Sequence, residues 1–303
     1  MRTILRQVWL AVRPVTGQQR FLWWCGTLLL ASGAVHSVVA VVDWGPWWGA
    51  VTWRKPVVFA LSFGILAWSV VWVLRQLPVR RWAWFPVGLL GGGSVAEIVM
   101  ITMQRWRGEA SHFNQAESFD SAVWSLMGNV VVLVALAVAI FLVWALVRFE
   151  GGPAARIAVV VGLTAIMVSG YIGFGMAAEG EAAFDATGQV PSTVVFGAAG
   201  SAKLAHALGM HGLQVLALVA IGLGLRPPPV RAQVWLMTVA AAGYAAVFGA
   251  VTATAYAGRS WTSPTVPLGL LALAGVVAVL AVAVLVAGRA LSGAGRPSAD
   301  VLK

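Results

Sequence analysis

The chain has 303 residues, of which 60% are hydrophobic and only 10% charged, and its mean hydropathy is +0.88. Soluble proteins carry about a quarter charged residues, so an ordinary water-soluble domain is excluded and a polytopic helical membrane protein is indicated. The net charge of +10 comes from arginines clustered between apolar stretches, which is a topology signal and points to no nucleic-acid partner.

Residues 1–20 place Arg2, Arg6, Arg13 and Arg20 around Ile4, Leu5, Val8, Trp9 and Val12 at helical spacing. Such a basic amphipathic segment lies on the inner leaflet of the bilayer. No small-residue cleavage site follows it, so no removable signal peptide is read. The first span is expected over Phe21–Val42. Its Cys25 is the chain's one cysteine, which excludes an internal disulfide framework. Further apolar stretches lie at 57–77, 83–104, 121–147, 155–178, 204–225, 232–257 and 265–288, each long enough for about 30 Å of hydrocarbon. The expected fold is therefore all-α, a polytopic transmembrane helical bundle of about eight spans. It forms a single transmembrane domain over 21–290, and a flexible tail follows over 291–303. With the N-terminus inside, 14 of the 20 basic residues fall on the cytoplasmic side and 6 outside. That bias places both termini in the cytoplasm. The expected location is a bacterial cytoplasmic membrane, with the lipid bilayer as the first partner.

Given that orientation, the unusual polar residues gather in the outer half. His36 is near the outer end of the first span, Glu97 near that of the third, and His206 and His211 begin the sixth. His112 lies in the loop between the third and fourth spans, with Arg105, Arg107, Glu109, Asn114 and Asp120 around it. Ionisable groups cost several kcal/mol inside a bilayer, so those retained there are paired, ligating or reactive. A helix turns 100° per residue, so His206 and His211 point about 140° apart and serve different partners unless the helix is irregular. Ser94, Glu97 and Gln104 share one face, and Gly91, Gly92 and Gly93 before them let a neighbouring backbone approach. The bland readings are equally concrete. His36 can hydrogen-bond a neighbouring helix, the basic residues Arg54, Lys55, Arg105 and Arg107 can pair with Asp43, Glu109, Glu117 or Asp120, and Trp44, Trp47, Trp48 and Trp53 can be interfacial anchors.

Three stretches carry a pattern: Lys55-Pro-Val-Val-Phe59-Ala-Leu-Ser62, Arg107-Gly-Glu-Ala-Ser111-His112-Phe113-Asn114 and Ala205-His206-Ala-Leu-Gly209-Met-His211-Gly-Leu-Gln214. They resemble an uncharacterised family of bacterial polytopic membrane proteins with K-P-x-x-F-x-x-S, R-G-x-x-S-H-F-N and A-H-x-x-G-x-H-x-x-Q motifs. The resemblance covers about 53–214 and implies no particular activity. It departs before the sixth span, where Ser201, Ala202 and Lys203 stand in place of an acidic residue followed by arginine. A lysine there is a point donor and not a bidentate fork.

Three function classes fit these residues. In the first, His36, His206 and His211 bind a cofactor such as haem b, or with Glu97 a transition metal, in a membrane oxidoreductase that meets an electron-transfer partner. In the second, Glu97, His112, Arg107, Asp120 and Lys203 form a metal-free acid-base site acting on a lipid or other amphipathic small-molecule substrate. The third is a proton-coupled transporter, which needs ionisable groups across the whole membrane. The inner halves of the spans lack them, and that favours a one-sided site. Signatures of covalent haem attachment, phosphate loops and serine nucleophile elbows are absent.

Overall fold

The computed structural model describes residues 2–292, and the tail expected over 291–303 lies almost wholly outside the described residues. The described chain is helical: α1 (Arg2–Val12), α2 (Gly17–Asp43), α3 (Arg54–Leu74), α4 (Trp84–Trp106), α5 (Ser118–Val147), α6 (Pro153–Thr187), α7 (Lys203–Leu225), α8 (Val230–Tyr256) and α9 (Val266–Leu291). Eight of these, α2 to α9, are long and apolar enough to cross a membrane. The chain is thus an integral, multi-pass membrane protein. An even number of crossings brings α2 and α9 to begin and end at the same end of the bundle. The loops 44–53, 107–117, 188–202 and 257–265 all lie at the opposite end, called here the polar end.

Local signals set the helix boundaries. Pro14 and Thr16 break the expected N-terminal segment in two. Thr16 then caps α2 in a reciprocal box, with the Gln19 amide N–H donating to Thr16 Oγ1 at 3.3 Å and the Thr16 N–H to Gln19 Oε1 at 3.2 Å. The first span therefore starts four residues before the apolar stretch does. Helix α6 departs further from expectation, running on to Thr187 for 35 residues, or about 52 Å. Its extension, Glu179 to Thr187, is too polar for a hydropathy reading but alanine-rich, and alanine keeps the helix going until Gly188 ends it at φ 66°.

The spans pack most extensively as consecutive pairs, α2 with α3, α4 with α5, α6 with α7 and α8 with α9. Lipid gives no hydrophobic drive to association, so close backbone approach over small residues does the work. Gly26 faces Gly64 across α2 and α3, Gly243 faces Gly275 across α8 and α9, and Gly162 lies on the backbone of Leu213 across α6 and α7. Helix α3 is the most enclosed span and α9 the least, in keeping with the absence of ionisable groups from most of α9. The enclosure of α3 is what brings its polar-end residues into contact with several other helices.

A side chain at Gly162 would meet the Leu213 backbone, whereas one at Gly170, also on α6, would meet nothing within 4 Å. Gly162→Val should lower stability by roughly 1–3 kcal/mol through overpacking. Gly170→Ala should leave the melting temperature in detergent within error of the parent, and an equal loss in both would show that α6 and α7 do not pack over this glycine.

Candidate functional site

Three polar clusters form at the polar end, and each is built by a different set of elements. The first joins α2 to α4. His36 Nε2 accepts a hydrogen bond from Trp106 Nε1 at 3.2 Å, so its Nδ1 carries the proton and donates to the Ser32 carbonyl at 2.8 Å. The ring stacks on Trp53 with centroids 5.8 Å apart. Trp53 in turn donates to Asp43 at 2.6 Å, and Arg105 pairs with the same carboxylate at 3.1 Å while lying 4.1 Å over the Trp53 ring. Trp53, expected as an interfacial anchor, is buried at 4% exposure. The bland reading of His36 is the one the geometry gives. Both ring nitrogens are engaged, so metal or haem ligation would require breaking the bond to Trp106.

The second cluster folds the loop between α4 and α5. Asp120, only 2% exposed, accepts from Arg107 at 2.6 Å, from Gln104 at 2.9 Å and from Asn114 at 3.2 Å. Arg107 also stacks over Phe119. The first and last residues of the Arg107–Asn114 motif therefore grip one buried carboxylate, and the six residues between them are drawn into a tight excursion. Phe113 takes a left-handed φ of 59° within it, a conformation that costs a non-glycine residue of order 1–3 kcal/mol. The excursion turns His112 inward against Phe59 of α3 and Trp124 of α5, at ring separations of 5.3 and 5.5 Å. Arg107 and Asp120 are thus committed to each other and to the loop.

The third cluster holds the remaining histidines. His206 Nδ1 donates to the Ser169 carbonyl of α6 at 2.8 Å, and the Ser169 hydroxyl returns a bond to the His206 carbonyl at 2.6 Å. His211 Nε2 meets the Ser62 hydroxyl of α3 at 3.5 Å. The angular divergence of the two histidines on α7 is realised as contact with two different helices. His112 Nδ1 is 2.9 Å from the Ser111 hydroxyl. In each of the three rings one nitrogen is held by a serine residue and the other has no protein partner among the described residues. Burial pushes the His112 imidazole well below the ordinary histidine value, and the charges of Lys55 and His206 push it further. It is neutral at physiological pH.

Glu97, 3% exposed, lies on the buried face of α4 with Ser94 and Gln104, as their spacing predicts, and its Oε2 has no hydrogen-bond partner. Lys203 reaches Thr193 at 3.3 Å. No three histidine, cysteine or acidic residues come together in a metal-binding group among the described residues. A large cleft, about 380 Å³, lies at the opposite end of the bundle, where Gln7, Trp72, Gln76, Ala155, Gly224 and Gln233 line it. It is lined by no histidine or acidic residue. Sequence reading missed Ser169, which is fully buried; its one signal is a hydroxyl beside Gly170 in an otherwise apolar span.

Two outcomes follow from this geometry. Arg107→Met removes a charge-assisted bond and should cost about 1.5–3 kcal/mol, with faster amide exchange over residues 108–116; unchanged exchange there would separate the loop from Asp120. The unfolded chain takes up a proton at His112 near 6.5 and the folded chain does not, so stability falls as pH drops through that value. His112→Gln should therefore lose less melting temperature than the parent between about pH 7.5 and about pH 5.5. Comparison with protein-family models, curated proteins and solved structures finds no match to this chain, so function rests on the site's own geometry.

Proposed function

We propose that this is a protein of a bacterial cytoplasmic membrane whose extracytoplasmic end carries a metal-free acid-base site acting on an amphipathic molecule. The observation that carries the reading is the pattern shared by His112, His206 and His211, each with one nitrogen held by serine and the other unpartnered. A hydrogen bond on one nitrogen orients the ring and leaves the other to accept or deliver a proton, and where the partner is a carbonyl, as for His206, it also sets the tautomer. In His206 the bond from Nδ1 to the Ser169 carbonyl leaves Nε2 with its lone pair. It is the general base of the proposal, and neutral His112 is its companion.

The other predicted residues take supporting roles. Arg107 and Asp120 position His112 through the loop they close. Lys203 supplies positive charge where negative charge develops on a substrate. Glu97, a buried carboxyl with an unpartnered oxygen, is the proton reservoir. A haem b centre on His36 is less well supported because both of its nitrogens are in hydrogen bonds, and a transition-metal centre because no three histidine, cysteine or acidic residues gather among the described residues. The arginine bias between loops supports the orientation.

The test is direct. Protein purified in mild detergent, after haem and metal supplementation during expression, should be colourless and contain no stoichiometric metal; a Soret band or one metal per chain would restore the redox reading. A cysteine replacing Gln115 should react with an impermeant thiol reagent from outside the cell. Reaction only from the cytoplasm would turn the site to the other face.

A further inference from the structure

The N-termini of α3 and α7 lie side by side at the polar end. Ser62 and His211 touch at 3.5 Å, and each is eight residues beyond the first residue of its helix, Arg54 in one and Lys203 in the other. Both helices run away from the polar end, so this contact sets them parallel with Arg54 and Lys203 level. Lys55 precedes Ser62 by seven residues, which brings it within about 20° of the same face. Phe59 lies between them on that face and packs on His112. Lys55 therefore projects above the histidines, toward α7.

Among the described residues, nothing acidic pairs with these cations. Neither of the two ion pairs among the described residues involves Arg54, Lys55 or Lys203. The carboxylates of Asp43 and Asp120 are taken by Arg105 and Arg107, Glu109 meets Asn114, and Glu181 meets Trp124. Arg54 stacks on Trp48, yet its Nε is withdrawn from solvent without a partner. Lys55 lies within electrostatic reach of both Arg54 and Lys203. Like charges gathered at a low-dielectric boundary repel, and an anion between them adds attractions at shorter distance that outweigh the repulsion. The positive ends of two helix dipoles point at the same place and add to it.

We infer that Lys55, Lys203 and Arg54 form a receptor for the phosphate or carboxylate headgroup of an anionic amphipathic molecule, held directly above His112, His206 and His211. The inference names the substrate class of the acid-base site and rests on that reading. The headgroup sits between the two helix starts, its apolar chain follows the bundle surface, and the reacting group faces the histidines.

Binding to the full chain in neutral-detergent micelles tests this with three probes: dioctanoyl phosphatidate, dioctanoyl phosphatidylcholine and inorganic phosphate. Phosphatidate should bind saturably and about tenfold more tightly than phosphatidylcholine, and added salt should weaken it. Lys55→Gln with Lys203→Gln should weaken phosphatidate by about tenfold or more, while Lys55→Arg with Lys203→Arg, which keeps the charge, should restore it. Phosphate competing alone would identify free phosphate as the ligand, and phosphate failing to compete would identify the lipid headgroup. Equal binding of the two lipids, or no loss in the glutamine variant, would overturn the anion receptor. Stoichiometric metal with phosphatidate discrimination intact would overturn the acid-base reading and leave the receptor, so the two failures are distinguishable.

Discussion

The polar end depends on one buried carboxylate. Asp120 begins α5, and burying a charge there is tolerable only because Arg107, Gln104 and Asn114 all donate to it. Those donors come from the end of α4 and from the loop that follows, so satisfying the charge also fixes the loop. Remove that requirement and nothing holds Phe113 in a left-handed conformation or turns His112 toward α3. The cost of an unsatisfied ion near a membrane is thereby converted into the placement of an imidazole.

A division of labour follows. The cluster around His36, Trp53, Trp106, Asp43 and Arg105 is closed, since its rings stack and its carboxylate and imidazole are both engaged. It ties α2 to α4 and seals that side. The cluster around Asp120 is closed in the same sense. Among the described residues, the group formed by α3, α6, α7 and the inward-turned loop keeps unspent capacity: imidazole nitrogens without a protein partner and cations outside any ion pair. Closed networks rigidify a framework, and the proposed chemistry falls to the network that is open.

The spans were legible because hydrocarbon imposes a length and a composition on them, and the eight apolar stretches correspond to the eight membrane-length helices. The angular divergence of His206 and His211 was legible for a similarly local reason, helical geometry, and it appears as contacts with Ser169 and Ser62. What escaped was register between helices. That Lys55 stands level with Lys203, or that Ser169 lies opposite His206, depends on how far one helix slides along another. Glycine contacts such as Gly162 on Leu213 determine that sliding, and no single segment encodes it. The overrun of α6 escaped because hydropathy stops reporting where helix propensity continues.

That overrun changes the surroundings of the site. A helix of about 52 Å exceeds the hydrocarbon thickness by about 20 Å, and its extension is tied to α5 where Trp124 Nε1 donates to Glu181 at 2.8 Å. Trp124 is also one of the three rings that pack on His112. On that side the polar end is thus built up by protein, with the Glu179–Thr187 extension of α6 standing beside Trp124. Counter-ions are excluded from the volume the extension fills, so on that side the ammonium and guanidinium groups are screened less than at an open membrane surface.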